Sequence, residues 1–349
     1  MSSILPANTK SISFTENVNI EKIKEEYLRT GLIPEELKKI FQHQHYVIVG
    51  NHSAVEICSW TKKSLTNRGF CYKQKFYGIR SHLCCQMTPS VAWCDHLCIF
   101  CWRATHINLD KDMSKAKIDD PKTIIEGCIL AQRKLLSGFG GNPKVDRSKL
   151  REAQEPMHFA ISLSGEPTLY PKLPELIQEL HKKGKTTFLV SNGQHPEMIE
   201  ELIQKDLLPT QLYISVDAPN EELYKKIDVP LNKNGWQRLM KTLEMIKNLS
   251  GYRTVLRITL IKGINDLYPE KYAELIQFSR PMFVEVKAYM WVGHSRKRLK
   301  FENMPSHKDI MDFSKKIAKF LKWEIIDEKK ESRVALIMER DIPSRIMSF

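Results

Sequence analysis

Cys94-Asp-His-Leu-Cys98-Ile-Phe-Cys101-Trp-Arg103 is the stretch on which the reading of this chain turns. Its cysteines are separated by three and then two residues, and an aromatic residue, Phe100, precedes the third. Three thiolates on one tight loop suit three irons of a cubane [4Fe-4S] cluster and leave the fourth iron without a protein ligand. An open iron can chelate a small molecule, whereas a structural zinc site needs a fourth donor to close its tetrahedron. His96 or His106 would be that donor, so a zinc knuckle is the competing reading of the loop taken alone.

The chain has 349 residues, enough for one large α/β domain with an extension or for two smaller domains. Its eight cysteines all fall between Cys58 and Cys128. A disulfide-stapled secreted chain spreads its bridges, whereas thiols crowded in this way point to metal ligation in a reducing compartment. The start, Met-Ser-Ser-Ile-Leu-Pro-Ala-Asn, has no charged opening followed by an apolar run, and no stretch is long and apolar enough to cross a bilayer. A cytoplasmic protein without membrane contact is expected. The formal net charge of +13 favours a polyanionic partner. Four cations concentrate in His294-Ser-Arg296-Lys297-Arg298-Leu-Lys300, directly after an apolar, strand-like run.

Taken in order, residues 1–45 read as a polar extension with two short helices. One carries Ile20, Ile23 and Tyr27 behind an Asn19 cap, and the other runs from Ile33 to Phe41 with Pro34 near its start. From Leu83 onward strands alternate with amphipathic helices. Strands are expected over 83–89, 158–163, 186–190, 211–216, 254–261 and 282–289. The intervening helices are expected to end near Leu136 and to cover 173–183, 196–203, 236–246 and 269–278. Residues 138–156, with Gly140, Gly141 and Pro143, read as a long connection. A helix over 307–321 precedes two runs, 323–326 and 333–338, that can extend the sheet. Six such units imply a parallel sheet forming an open, partial (β/α)6 TIM-like barrel, with reactive residues at the C-terminal strand ends. The chain then divides into a helical, cysteine-bearing extension (1–82), the partial barrel (83–290), and a C-terminal basic loop, helix and extra strands (291–349).

The expected strand ends are polar. Ser164-Gly165-Glu166-Pro167 follows the second strand, Ser191-Asn192-Gly193 the third, and Ser215-Val216-Asp217 the fourth. Ordinary caps and turns account for such residues singly; their order behind the cluster loop does not suit a zinc knuckle. In the fifth strand Arg257 sits between Leu256 and Ile258 and needs an anionic partner or water. Glu285 and Lys287 share one face of the sixth.

Together the loop and the strand ends resemble the radical S-adenosylmethionine (SAM) enzymes. The resemblance implies that Cys94, Cys98 and Cys101 hold a [4Fe-4S] cluster whose open iron binds SAM, which one electron cleaves to a 5′-deoxyadenosyl radical. It also implies SAM contacts from Ser164, Gly165, Glu166, Asn192, Ser215 and Asp217. Ser164 stands where the family's Gly-Gly-Glu-Pro-like segment has its first glycine.

Cys58, Cys71 and Cys84 are separated by twelve residues each time, so three separate loops or strand ends must converge if they bind together. They read either as ligands of a second open cluster or as buried apolar thiols. Cys85 points to the opposite strand face from Cys84, and Cys128 lies on an apolar stripe with Ile124, Ala131 and Leu135, so both read as structural. The two cysteine sets, with Tyr289-Met-Trp-Val-Gly293-His-Ser-Arg296, are similar to those of the archaeal-type tRNA 4-demethylwyosine synthases. That resemblance covers most of residues 46–340. It implies two [4Fe-4S] clusters, SAM, and a reaction joining pyruvate to N1-methylguanosine at position 37 in the anticodon loop of tRNA-Phe. The eukaryotic relatives carry an additional flavodoxin-like domain that has no room here, so an external electron donor is expected, and the chain is expected to act as a monomer. The family's Schiff-base lysine falls on Lys73; Lys73 and Lys75 around Gln74 can equally form a solvated basic face. Arg296, Lys297, Arg298 and Lys300 are the candidate tRNA contacts, with Trp291 or Tyr289 as a stacking platform, although Tyr289 reads better as core. Another two-cluster radical SAM enzyme acting on RNA and a zinc-dependent RNA-binding module are the alternatives.

Overall fold

A computed structural model describes residues 18–249 and 251–349. The reading of Met1 to Asn8 lies outside these residues. Among the described residues ten strands form one sheet: β1 (Val47–Val49), β2 (Ser53–Glu56), β3 (Cys84–Thr88), β4 (His158–Ile161), β5 (Thr186–Ser191), β6 (Gln211–Ser215), β7 (Thr254–Leu260), β8 (Phe283–Ala288), β9 (Glu324–Lys329) and β10 (Val334–Met338). Strands β3 to β8 are parallel neighbours in chain order. The antiparallel pair β1 and β2 extends one edge, and β10 with β9 extends the other. The sheet is an open six-unit parallel array with added edges, as the alternation of the sequence implies, and each core strand lies within two residues of its expected limits.

Pleat alternation sorts the side chains. One face sends Cys85, Met87, Phe159, Ile161, Leu189, Leu212, Ile214, Leu256, Ile258, Val284 and Val286 into the layer beneath the helices. The other sends Phe188, Tyr213, Val255, Phe283, Val334 and Leu336 into the lumen, where they pack on Tyr72, Phe76 and Tyr77 of the short helix Tyr72–Tyr77. Burying each such ring contributes roughly 1.5–3 kcal/mol, so this helix is a structural plug. Tyr72 and Tyr77 also donate their hydroxyls to the buried Glu285 carboxylate at 2.9 and 2.7 Å.

The crossover helices Pro121–Leu136, Leu173–Lys182, Pro196–Gln204, Gly235–Lys247 and Pro269–Ser279 bury apolar stripes, and His307–Leu321 packs on β8 and β10. Residues 138–156 are not a plain connection: Asp146 accepts from the amides of Ser148 and Lys149 and starts the helix Arg147–Glu152. The helix Glu221–Ile227, capped by Asn220, was also not expected, since two turns leave too little periodicity to detect. The helices Ile20–Thr30 and Glu35–His43 do pack outside the barrel. Tyr27 nevertheless accepts from the Trp93 indole at 3.1 Å, so the first helix braces the residue before Cys94. No described helix is long and apolar enough to cross a membrane.

Candidate active site

The loop of Cys94, Cys98 and Cys101 leaves the C-terminal end of β3 and is held by backbone hydrogen bonds rather than by regular structure. Leu97 donates to the Asp228 carbonyl at 3.2 Å and Ile99 to that of Ile227 at 2.9 Å, while Leu231 donates to the carbonyl of Asp95 at 2.8 Å. The unexpected helix Glu221–Ile227 therefore ends where it clamps this loop. Arg103, buried beside Cys94 and Cys101, donates to the Val91 carbonyl at 3.1 Å. All eight cysteines are free thiols; Cys85 and Cys128 are fully buried, and the other six are partly exposed.

The donor geometry can be tested against the two metal readings. Ligand sulfurs on one tetrahedral zinc stand about 3.8 Å apart, given a Zn–S bond of about 2.3 Å. Among the described residues the group whose donor atoms all lie within 4.8 Å is His96, Cys98 and Asp228; neither cysteine trio meets that limit. His96 is already engaged, its Nε2 lying 2.8 Å from the Tyr224 hydroxyl. Trios of convergent but more widely spaced thiols fit a polynuclear cluster, in which each sulfur takes a different iron. Burial pushes the Cys71 thiol up to about 11 and also raises Cys58, Cys84, Cys94 and Cys98, so these thiols stay protonated without a bound cation.

Cys94, Cys98 and Cys101 line a cavity of about 330 Å³ together with all six residues read as SAM contacts, Ser164, Gly165, Glu166, Asn192, Ser215 and Asp217. Gly165 has φ +73°, and a Cβ there would lie 1.7 Å from the Ser90 carbonyl oxygen, so only glycine fits. Ser164 is not among the residues with positive φ, and its Oγ donates to the Val91 carbonyl at 3.1 Å. Its departure from the family pattern therefore carries no backbone penalty. Glu166 accepts from Thr168 through Oε1 and from the Asn192 amide through Oε2 at 2.8 Å, which leaves Oε2 a lone pair for a further donor. Asp217 accepts from the Thr259 amide at 2.6 Å, and burial raises its pKa to about 6. Asp228 and Arg103 also line the cavity; Arg103 closes the cysteine stretch itself, whereas Asp228 carries no local motif and only the tertiary fold brings it there.

Cys58 and Cys71 precede the helices Ser59–Leu65 and Tyr72–Tyr77, and Cys84 opens β3. The three act electrostatically on one another and on Lys73, so the long, equal spacings do converge. Lys73 is not on a solvated face. It is only 9% exposed, its Nζ lies 4.4 Å from the Tyr213 ring centre and 5.0 Å from that of Phe188, and burial lowers its pKa. Lys75 points outward to Asp327 at 2.6 Å. Lys287 lines the cavity and lies in the field of Cys71 and Cys58; burial first, then Arg257, lowers its pKa to about 8.

The basic segment does not form one patch. Arg298 turns inward and donates to the carbonyls of Ile99, at 3.0 Å, and Cys101, and to the Thr105 hydroxyl at 3.2 Å. Arg296 stacks over Trp291 at 4.3 Å, while Lys297 and Lys300 are exposed. Tyr289 is core, 2% exposed, and donates to Ser295 at 2.9 Å. A Cβ on Gly293 would lie 2.3 Å from the Trp102 carbonyl oxygen, and His294 donates to that oxygen at 2.9 Å, so the segment docks on the cluster loop.

An open parallel sheet, with a three-cysteine loop and a polar pocket at its C-terminal edge, is the architecture of a radical SAM protein. The Radical SAM superfamily model matches residues 88–276, and a second family model, described as wyosine base formation, matches residues 279–339. The S-adenosyl-L-methionine-dependent tRNA 4-demethylwyosine synthase of Pyrococcus abyssi is 55% identical over 311 residues, covering 89% of this chain and 90% of that protein. The synthase of Methanocaldococcus jannaschii is 42% identical, covering 89% and 98%. A solved structure of TYW1 with a lysine–pyruvate adduct bound is 40% identical with a TM-score of 0.81, covering 90% of this chain and all of the other, and a crystal structure of archaeal TYW1 is 36% identical with a TM-score of 0.72 over the same share of each chain. The chain belongs to the tRNA 4-demethylwyosine synthase family of radical SAM enzymes.

Proposed function

We propose that this protein forms 4-demethylwyosine from pyruvate and N1-methylguanosine at position 37 of tRNA-Phe, as a synthase of the carbon–carbon lyase class. The observation that carries this reading is Lys73: a buried amine in the field of Cys58, Cys71 and Cys84, packed on Phe188 and Tyr213 of the inner sheet face whose strand ends line the cavity of Cys94, Cys98 and Cys101. The lysine–pyruvate adduct in the related solved structure supports it. Bound, the two [4Fe-4S] clusters and SAM would supply one-electron cleavage to a hydrogen-abstracting radical at the Cys94 trio and a Lewis-acidic iron at the Cys58 trio.

The chain's own residues do the rest. Glu166 would accept from the SAM ammonium group, Gly165 would let the backbone approach it, and Ser164, Asn192, Ser215 and Asp217 would complete the polar wall. Burial favours the neutral Lys73 amine, which attacks the keto carbon of pyruvate and releases water as the imine forms. The Phe188 and Tyr213 rings keep bulk water from that nitrogen. Arg296, Lys297 and Lys300 take the tRNA backbone with Trp291 beside them, and Arg298 holds the cluster loop. We place the reaction in the cytoplasm, with the chain monomeric and electrons supplied by an external donor.

Anaerobic incubation with reductant, SAM and N1-methylguanosine-containing tRNA, with and without pyruvate, tests this reading by nucleoside mass. A tricyclic base that requires pyruvate is expected. SAM cleavage with an unchanged base in the presence of pyruvate would overturn the substrate assignment.

A further inference from the structure

The inner face of the sheet carries a charge arrangement that the reaction above does not use. The register pairs Ser215 with Arg257, Arg257 with Glu285, and Thr259 with Lys287, while Tyr213 pairs with Val255 and Val255 with Phe283. Because lumen-facing residues recur every second position, these pairs form stacked rows. The lowest is Tyr213, Val255 and Phe283; above it lie Ser215, Arg257 and Glu285; Thr259 and Lys287 come next. Lys73 packs on Tyr213 of the lowest row, and Arg257 and Lys287 line the cavity above it.

The cations in these rows are under-used. Both Glu285 oxygens already accept from tyrosine hydroxyls. The Arg257 Nε is buried without a hydrogen-bond partner among the described residues, and the Lys287 Nζ makes only a long contact, 3.4 Å, with the Ser332 carbonyl. Two positive side chains with spare donors, facing a cavity from the first and second rows above the one on which the reactive amine packs, call for an anion.

Building on the reading of Lys73 as the imine-forming lysine, we propose that Arg257 and Lys287 form the carboxylate subsite of the α-keto acid. In such an acid the carboxylate carbon is bonded directly to the keto carbon. A molecule attached at Lys73 therefore has its carboxylate within reach of the row above and its methyl group against the Phe188 and Tyr213 rings. The guanidinium provides a planar pair of donors that matches a carboxylate, which a lone ammonium does not. The subsite selects short, anionic keto compounds over neutral ones of the same shape.

Borohydride trapping on anaerobically reconstituted enzyme tests this, read by intact mass and by peptide mapping to Lys73, over a concentration series of pyruvate and of its neutral isostere pyruvamide. Iron content and visible absorption are measured on every sample. In wild type, pyruvate is expected to half-saturate trapping at a far lower concentration than pyruvamide. In Arg257→Met the pyruvate value should rise on the order of ten- to a hundredfold, as for loss of a charge-assisted hydrogen bond, while the pyruvamide value stays put. Lys287→Met should give a smaller shift, and Arg257→Lys a partial rescue. If wild type traps no pyruvate on Lys73, the reading of that lysine fails and this inference falls with it. If wild type traps pyruvate but Arg257→Met and Lys287→Met keep its half-saturation, this inference alone is overturned. It is also overturned if the variants lose iron while the folded protein that retains iron saturates like wild type, because the cations would then serve only to neutralise the thiolates.

Discussion

Lys73 Nζ stands 4.4 Å from the centre of the Tyr213 ring and in the field of Cys84, the residue that opens β3. A lysine so enclosed is costly to keep charged and chemically useful when neutral. Replacing it with methionine should leave the melting temperature unchanged or slightly raised. Pyruvate-dependent product should fall by about a thousandfold or more, as for loss of a covalent catalyst. Reductive SAM cleavage in the same samples should persist, and its loss would indicate that the variant disturbs the Cys94 site instead.

Gly165 and Ser164 should differ sharply in their tolerance of substitution. Gly165→Ala places a Cβ against the Ser90 carbonyl oxygen at a left-handed φ, and should cost more than about 2 kcal/mol in urea unfolding. Ser164→Gly restores the family's glycine at a position without positive φ, and should cost no more than about 1 kcal/mol with SAM binding retained.

Two kinds of cation in one basic segment should separate cleanly. Arg298→Met removes donors to the carbonyls of Ile99 and Cys101, so reconstituted protein should lose the iron of one cluster. Lys300→Ala should leave iron content unchanged and weaken tRNA binding, lowering the slope of log affinity against log salt by about 0.7–0.9 for one phosphate contact.

Cysteine variants should follow exposure. Serine at Cys58, Cys71 or Cys84, or at Cys94, Cys98 or Cys101, should remove about one cluster's iron and the matching visible absorption. Alanine at the fully buried Cys85 or Cys128 should leave both clusters in place and cost about 1 kcal/mol of stability.

His52 makes part of the acid sensitivity predictable. Its Nδ1 donates to the Pro89 carbonyl at 2.6 Å and its Nε2 accepts from the Asp119 amide at 3.0 Å, which holds the neutral tautomer. Burial lowers its pKa despite the nearby Asp119 carboxylate. The unfolded chain therefore binds this proton first as pH falls. The stabilisation is complete above the unfolded value of about 6.5 and declines below it until the folded group titrates. The slope of unfolding free energy against pH just below 6.5 should be smaller in His52→Gln, measured on cluster-free protein. Burial lowers the pKa of His96 and His158 too, and they contribute in the same sense.

What the sequence determined by itself was local. Period-two and helical hydrophobic patterns are imposed by backbone geometry, so they mark the parallel strands, the crossover helices and the polar strand ends wherever an element is long enough to repeat. The spacing of Cys94, Cys98 and Cys101 is likewise local chemistry on one loop. Short elements such as Glu221–Ile227 and Arg147–Glu152 escape because two turns carry no period, and residues 138–156 therefore read as plain connection.

Tertiary structure decided everything that depends on distant segments meeting. Lys73 reads equally as solvated face or buried nucleophile until Phe188 and Tyr213, more than a hundred residues later in the chain, close over it. Arg298 looks like its cationic neighbours until it turns onto Ile99 and Cys101, while Asp228 shows no motif at all. Arg257 announces only that it needs a partner. Burial and orientation are properties of the assembled lumen, set by strand register and by the helix that plugs it, and no window along the chain contains them.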